Sequence, residues 1–220
     1  MSDLVRWWDE GNQTWVALPA PPIVTGVGRL AATADGSLYL DRSSFGQPRY
    51  SGLLRWDGAT WSTPGGLVSG AVWDMVPISG GDLLVAGTNL IVPGAAATGL
   101  ARWDGIAWTA FPGLPNLQAV IELPNGDLVV GGVFQSIGGI AANYVARWNG
   151  TNWSPLGTGA PGQVRRLLRM SNGDLVAVGG WASVGGANCA AIARWNGTSW
   201  LPLGTGVLGL IVDLAEDRNG

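Results

Sequence analysis

The sequence predicts an all-β fold, a five-bladed β-propeller built of four-stranded antiparallel blades. Three observations predict it: a tryptophan motif that returns five times, Gly-containing turns that recur on the same schedule, and the absence of any helical period. The motif is Arg-Trp, a turn and a second Trp, in the copies Arg6-Trp7…Trp15, Arg55-Trp56…Trp61, Arg102-Trp103…Trp108, Arg147-Trp148…Trp153 and Arg194-Trp195…Trp200. Its first Trp recurs after 49, 47, 45 and 47 residues. A period of that length belongs to units too small to bury their own apolar surface, which stack or close around an axis.

One unit, read in order, supplies four short apolar runs. Gln163 to Met170 is the innermost strand, Ser171 to Asp174 a turn, and Leu175 to Trp181 the second strand. A loop through Gly185 and Gly186 leads to the third strand, Ala191 to Trp195; Asn196-Gly197 turns the chain into the fourth, Trp200 to Leu203. The first turn recurs as Asp35-Gly36, Gly80-Gly81, Asn125-Gly126 and Asn172-Gly173. The other recurs as Asp57-Gly58, Asp104-Gly105, Asn149-Gly150 and Asn196-Gly197. Such pairs accept the positive φ angles that hairpin turns require. Residues 1–220 thus read as one domain of repeats near 47 residues.

The repeat count leaves a gap. Five such units need about 235 residues, 15 more than the 220 present. Leu208 to Glu216 reads as a fifth innermost strand, and Leu4 to Trp7 resumes with a third strand, so the last blade is shared by the two termini and lacks its second strand. The chain is then either a piece of a longer repeat array, the favoured reading, or a ring closed by an imperfect blade.

Composition narrows the function classes. Hydrophobic residues make up 47% and charged residues only 12%, which excludes a disordered tail. The 36 Gly and 13 Pro are spread through the repeats, as many tight turns demand. A net charge of -3, with every one of the 12 basic residues an Arg scattered by the repeat, argues against nucleic acid. Cys189 is the single cysteine, so there is no internal disulfide framework. Met1-Ser2-Asp3 runs into the first repeat with no signal segment. The uncharged stretch Leu83 to Ala101 carries Asn89, Pro93 and several Gly and aligns with strand–loop–strand elsewhere; it is not expected to span a membrane. With no His and no Lys, the usual general-base, Schiff-base and imidazole–metal chemistries are missing. No enzyme, cofactor or metal site is expected. A glycosidase would need Asp74, Glu122 or Asp213, all on innermost strands, to converge.

The paired Trp residues flank tight turns and face each other across hairpins, which makes them architecture before ligand platforms. Each repeat Arg lies on the opposite face from its Trp and needs a partner. Asp82, Asp127 and Asp174, one residue past the turn into the second strand, are the expected partners, with Ser37 the exception. The Asn-X-Thr/Ser patterns at Asn12, Asn149, Asn152 and Asn196 read chiefly as turn chemistry.

Function is sought where the copies differ. One variable place is the innermost strand, where equivalent positions hold Arg29, Asp74, Ala119, Arg166 and Asp213, preceded by Gly28, Trp73, Gln118, Arg165 and Val212. These charges could grip a polar ligand in the channel or pair with one another. The other is the loop between second and third strands: Asp41 to Tyr50, Thr88 to Gly99, Phe134 to Asn143 and Trp181 to Cys189. Loops of this kind gather on one face of a rigid scaffold. The candidate ligand-binding residues there are Trp181, Phe134, Asn143, Asn188 and Tyr50, with Phe134 and Trp181 at matching positions that would also suit gap-filling between blades.

The stretch from Ala141 to Gly157, with Asn125 to Gly132 before it, resembles the repeat of kelch-like propellers in large secreted or surface bacterial proteins. The likeness covers essentially the whole chain and is strongest from Gln118 onward. Five Trp-rich units near 47 residues are also similar in architecture to the five-bladed tachylectins, which bind N-acetylated amino sugars; no binding motif matches residue by residue. These resemblances imply a five-bladed fold, a secreted or surface parent protein and lectin-like carbohydrate binding. The expected function is a non-enzymatic recognition module for a glycan or protein on the loop face. The alternative is a structural repeat scaffold, or an excised or engineered propeller segment, with no small ligand and with self-association through the open blade.

Overall fold

The computed structural model describes residues 6–9, 12–19, 28–41, 52–96, 99–111, 113–184, 187–188, 191–207, 209, 211 and 213–217. No helix occurs among them, and their strands form four antiparallel blades, each a meander of four strands in sequence order. The first blade is Leu30–Ala32, Leu38–Asp41, Leu53–Trp56 and Trp61–Ser62. The second is Ser69–Pro77, Leu83–Val92, Leu100–Trp103 and Trp108–Phe111. The third is Asn116–Glu122, Leu128–Val133, Val145–Trp148 and Trp153–Pro155. The fourth is Val164–Arg169, Leu175–Gly179, Ile192–Trp195 and Trp200–Pro202. This is a β-propeller. The uncharged stretch from Leu83 lies within the second blade, and no described helix is long and apolar enough to cross a membrane.

Both turns of the repeat use glycine, but in a different way from the expected Asn-Gly pair. Where Asp or Asn precedes the Gly, only the Gly takes a positive φ: +82° to +92° at Gly36, Gly126 and Gly173, and +92° to +99° at Gly58, Gly105, Gly150 and Gly197; in the second blade both Gly80 and Gly81 do, at +91°. The preceding Asp or Asn instead uses its side chain. Asn149 Oδ1 accepts from the backbone N–H of Thr151 at 3.0 Å and Asn152 at 2.8 Å, and Asp57, Asp104 and Asn196 do the same in their blades. This is the turn chemistry that short polar side chains favour. Those backbone hydrogen bonds also hold the Asp57 and Asp104 carboxyls below the usual carboxylate range.

The Trp pairs sit opposite each other in register across each outer hairpin. Their ring centroids are 5.1–5.5 Å apart with the planes tilted by 43–48°. Such pairs contribute about 0.5–1.5 kcal/mol beyond the area they bury. The second Trp also ties its blade to the preceding one. Trp108 Nε1 donates to the Pro64 carbonyl at 2.9 Å, Trp200 Nε1 to Leu156 at 3.2 Å, and Trp61 Nε1 to Pro19 at 2.7 Å. Beside these contacts a Cβ on Gly65 would lie 2.6 Å from the Trp103 ring, and one on Gly157 would lie 2.8 Å from Trp195, so only glycine fits.

The core lies between blades. Ala31, Tyr39 and Leu53 of the first blade pack with Val72, Met75, Leu83, Val85 and Trp103 of the second. Leu84, Ala86 and Leu100 of the second pack with Leu117, Val120 and Val130 of the third. Ala119, Val129 and Val145 of the third pack with Val164, Leu167, Ala177 and Ala193 of the fourth.

Residues from the two ends of the chain pack on the outward faces of this array. The hairpin Arg6–Asp9 with Thr14–Ala17 precedes Leu18, which packs on Leu40, Leu54 and Trp56 of the first blade. Its register sets Trp8 opposite Trp15 and Trp7 opposite Val16, so the paired Trp of this copy is Trp8, not the Trp7 that directly follows Arg6. The longer turn, with Gln13 at φ +49°, accounts for the one-residue offset. At the other end Ile211 and Leu214 pack on Val176, Val178 and Ile192 of the fourth blade. Glu216 accepts from Ser171 N–H and Oγ, both at 2.8 Å, as Glu122 of the third blade accepts from Ser79 N–H and Oγ at 2.6 Å. Residues 213–217 therefore dock as an innermost strand does. They are not in a ladder, because no second strand is described beside them.

The repeated Arg–Asp pairs are present. Arg147 Nε donates to Asp127 Oδ2 at 2.5 Å, Arg194 Nε lies 3.2 Å from Asp174 Oδ2, and Arg102 pairs with Asp82. At Ser37 the carboxylate comes from two residues earlier: Arg55 binds Ser37 Oγ at 3.0 and 3.1 Å and Asp35 Oδ2 at 3.3 Å. Hydrogen bonds from Thr33 and Ser37, then the Arg55 charge, pull the Asp35 pKa down to about 2. Asp127 is only 7% exposed, so removing its partner or its charge leaves a poorly solvated group. Asp127→Ala is expected to lower unfolding free energy by about 1–3 kcal/mol in a denaturant titration, the half-exposed Arg keeping the cost below that of a fully buried pair.

Candidate functional site

The innermost strands carry a recurrent β-bulge. Register shifts lie between Val72 and Asp74, Leu117 and Ala119, and Val164 and Arg166, leaving Trp73, Gln118 and Arg165 as the extra residues. In the first blade Gly28 N–H donates to the Asp41 carbonyl while Asp41 N–H donates to the Arg29 carbonyl, so Gly28 is the matching bulge residue. A bulge re-aims side chains and breaks strict alternation. It gives each inner strand two successive residues near the channel instead of one.

The second residue of each bulge reaches the next blade. Arg29 Nε donates to the Trp73 carbonyl at 2.8 Å. Asp74 Oδ2 accepts from Val120 N–H at 3.1 Å and Oδ1 from Met75 N–H at 3.1 Å. Ala119 packs in the cluster that contains Val164. Arg166 Nε lies 4.0 Å from Asp213 Oδ1, and its Nη1 reaches back to the carbonyls of Arg165 at 2.6 Å and Gln118 at 3.5 Å. These contacts link successive innermost strands. The paired alternative expected at these positions is realised only in part, between Arg166 and Asp213.

Burial pushes the Asp74 carboxyl up to about 6, against the opposing pull of the Val120 and Met75 amides and the Arg29 charge; Asp213 adds a smaller push in the same direction. Arg29 and Asp213, from opposite ends of the array, therefore both act on Asp74.

The bulge residues themselves differ in kind. Trp73 is 42% exposed, more than any of Trp56, Trp61, Trp103, Trp108, Trp148, Trp153, Trp181, Trp195 and Trp200. Its Nε1 donates to Thr88 Oγ1 at 2.9 Å, which fixes the ring. Gln118 Oε1 is buried and makes no hydrogen bond. Arg165 is held by Gln163, whose amide oxygen accepts from Nε at 2.7 Å and Nη2 at 3.1 Å. Gln118 and Arg165 lie opposite the ends of their second strands, and Trp73 lies opposite Ala86 and Gly87 within Leu83–Val92.

Those loops are more ordered than a plain loop reading suggests. Small hairpins occupy them: Ser136–Ile137 with Ile140–Ala141, and Ser183–Val184 with Ala187–Asn188; Ala95–Ala96 pairs with the end of Leu83–Val92. Phe134 is 6% exposed and sits in the core between the second and third blades. Trp181 is partly buried against the cluster between the third and fourth blades. Phe134 and Trp181 are indeed matched: their carbonyls accept from Tyr144 and Ala191, both at positive φ. Asn143 Nδ2 donates to the Thr158 carbonyl at 3.0 Å, on the rim of a cleft of about 450 Å³ lined by Gly157–Pro161 and the Trp195–Trp200 hairpin. No charged side chain lines that cleft. Asn188 belongs to the small hairpin ending at 188, and Tyr50 lies outside the described residues. Phe134 and Trp181 thus fall at blade junctions, while Trp73, Gln118 and Arg165 share the bulge position of their strands. The signal that marks these positions in the sequence is that they and the residues after them differ from copy to copy, while the preceding Val72, Leu117 and Val164 stay apolar.

No family model and no curated protein sequence matches the chain. Solved structures do. A streptogramin B lyase aligns over 83% of this chain at 14% identity with a TM-score of 0.52. The extracellular domain of a hybrid two-component system from B. thetaiotaomicron aligns over 82% at 15% identity with a TM-score of 0.51. YCF48 bound to a D1 peptide aligns over 86% at 14% identity with a TM-score of 0.48. The chain spans 56%, 23% and 57% of those proteins respectively. These neighbours are β-propellers, and at such identity the likeness is one of fold.

The raised Asp74 pKa has a definite pH signature. The folded state holds this proton more tightly than the unfolded chain, whose Asp titrates near 3.8, so the cost of ionising Asp74 is absent below that pH and complete above about 6. Over that window stability is expected to fall by about 2–3 kcal/mol as pH rises. Because the chain has no His, Asp74→Asn should flatten the slope between pH 5 and 7 in denaturant melts.

Proposed function

We propose that this chain is a non-enzymatic β-propeller recognition module that binds carbohydrate at the mouth of its central channel. The observation that carries this reading is Trp73: every other described Trp side chain is at least partly buried, while this one presents its ring beside the channel with its nitrogen already engaged. The apolar C–H face of a sugar ring fits an indole face, whose quadrupole attracts the partially positive hydrogens. The non-enzymatic part rests on the carboxylates: both oxygens of Asp74 are taken by backbone amides, and Asp213 has a side chain 77% exposed beside Arg166.

The five-bladed count and the kelch-like or tachylectin-like affinity belong to the same reading. The hairpin at residues 6–17 flanks the first blade and residues 211–217 flank the fourth, so the two together supply the third, fourth and innermost strands of a fifth blade.

The test is a glycan array probed with the purified chain, followed by titration of the hits. Trp73→Ala should weaken binding at least tenfold without moving the thermal midpoint, since the Arg29 contact uses only the backbone of Trp73. An array without hits, or a variant that binds as the parent does, overturns the reading.

A further inference from the structure

We propose that the channel-mouth site selects sugars bearing a carboxylate, of the uronic or sialic acid type, and that Arg165 is the residue that takes the carboxylate. The inference rests on the carbohydrate reading above and specifies its ligand. It starts from a contrast among the arginines. In the third strands the fold provides a carboxylate for Arg55, Arg102, Arg147 and Arg194. At Arg165 it provides a neutral amide, Gln163, which engages Nε and Nη2, and no described carboxylate reaches the guanidinium. Arg169 on the same strand also lacks a carboxylate, but it is exposed at the strand's far end and fully hydrated.

A partly buried guanidinium oriented by an amide keeps its full positive charge and its fork geometry. Carboxylates match that geometry through two parallel N–H···O bonds, and the gain exceeds that of a neutral hydrogen bond. The surroundings reinforce the need for an anion. Arg166, next in sequence, has a buried Nε with no hydrogen bond and a carboxylate no nearer than 4.0 Å. Arg29, on the far side of Trp73, spends its Nε on a neutral carbonyl. Three guanidiniums stand here against the two carboxylates Asp74 and Asp213, a surplus of one positive charge in a protein whose formal net charge is -3. A monoanion balances it.

The order of groups around the rim sets what carries that anion. Trp73, Gln118 and Arg165 occupy the same bulge position on three consecutive blades. Trp73 offers an exposed stacking face and Arg165 a carboxylate partner. An acidic sugar uses both, whereas an inorganic anion uses only the last.

The experiment titrates the intact chain, by tryptophan fluorescence or calorimetry, with galacturonate, glucuronate and sialyl oligosaccharides and with their methyl esters. The ester keeps the ring and removes only the charge. At least one acid is expected to bind about tenfold more tightly than its ester. Arg165→Gln should erase that difference by weakening the acid alone, whereas Trp73→Ala should weaken acid and ester together. If Arg165→Gln fails to fold, Arg165→Lys replaces it and should give an intermediate preference, since it keeps the charge and loses the fork. Equal binding of acids and esters overturns the carboxylate assignment and leaves the sugar site standing, as does binding of neutral glycans only. Inorganic phosphate competing as well as the acid sugar also overturns it, in favour of a general anion site. Binding to no glycan of any kind removes this inference and the carbohydrate reading together.

Discussion

The structure depends on blades that are apolar on both faces. In the second blade consecutive residues of one strand serve different interfaces: Leu83 and Val85 pack toward the first blade, Leu84 and Ala86 toward the third. The period of two in a strand makes this division automatic. It also means that no blade can bury its apolar surface alone, and each needs a neighbour on either side. The first blade sends Tyr39 and Leu53 forward and Leu40 and Leu54 back onto Leu18. The fourth sends Ala177 and Ala193 back and Val176, Val178 and Ile192 forward onto Ile211 and Leu214. The partial elements at either end of the array are thus required by the same burial rule as the complete blades.

Most of this was legible in the sequence because it repeats. The strand order, the position of both turns, the facing Trp residues and the Arg–Asp pairs follow from spacing and local chemistry, and the structure has them at the expected residues. The turns show where local chemistry was read for the wrong reason. An Asn-Gly or Asp-Gly pair suggests a positive φ at both residues, yet in the outer turns the Asn or Asp works through its side chain oxygen. Other features left no local signal. A bulge adds one residue to one strand and can be recognised only against its partner's register, so Trp73 reads in sequence as an ordinary strand position. The hydrogen bonds from Trp108 and Trp200 to the preceding blade join residues 44 apart and depend on how blades meet. The carboxylate for Arg55 moved to Asp35 because two turn residues are both close enough to reach it, a choice that spacing alone does not make.

The candidate site was less legible than the fold, for a related reason. Large side chains in variable loops look like ligand contacts, but a loop that leaves a packed sheet must also be sealed against its neighbours. Phe134 and Trp181 follow equivalent Gly residues at the ends of second strands, and their backbones anchor the return of the chain through Tyr144 and Ala191. Burial of an aromatic ring at that point closes the blade junction. Variation between copies there follows the shape of each junction.

At the inner rim variation has a different origin. The second bulge residue performs one task, contact with the next blade, through four chemistries: a guanidinium on a carbonyl at Arg29, a carboxylate under an amide at Asp74, apolar packing at Ala119 and an ion pair at Arg166. A position that accepts four chemistries constrains its side chain only by reach. The residue before it is held in place by the ladder on either side of the bulge, and no neighbouring blade needs its side chain. The fold therefore fixes where Trp73, Gln118 and Arg165 stand while leaving what they are to selection for something outside the fold. A rigid position with a free choice of side chain is what a binding site on a repeat scaffold requires.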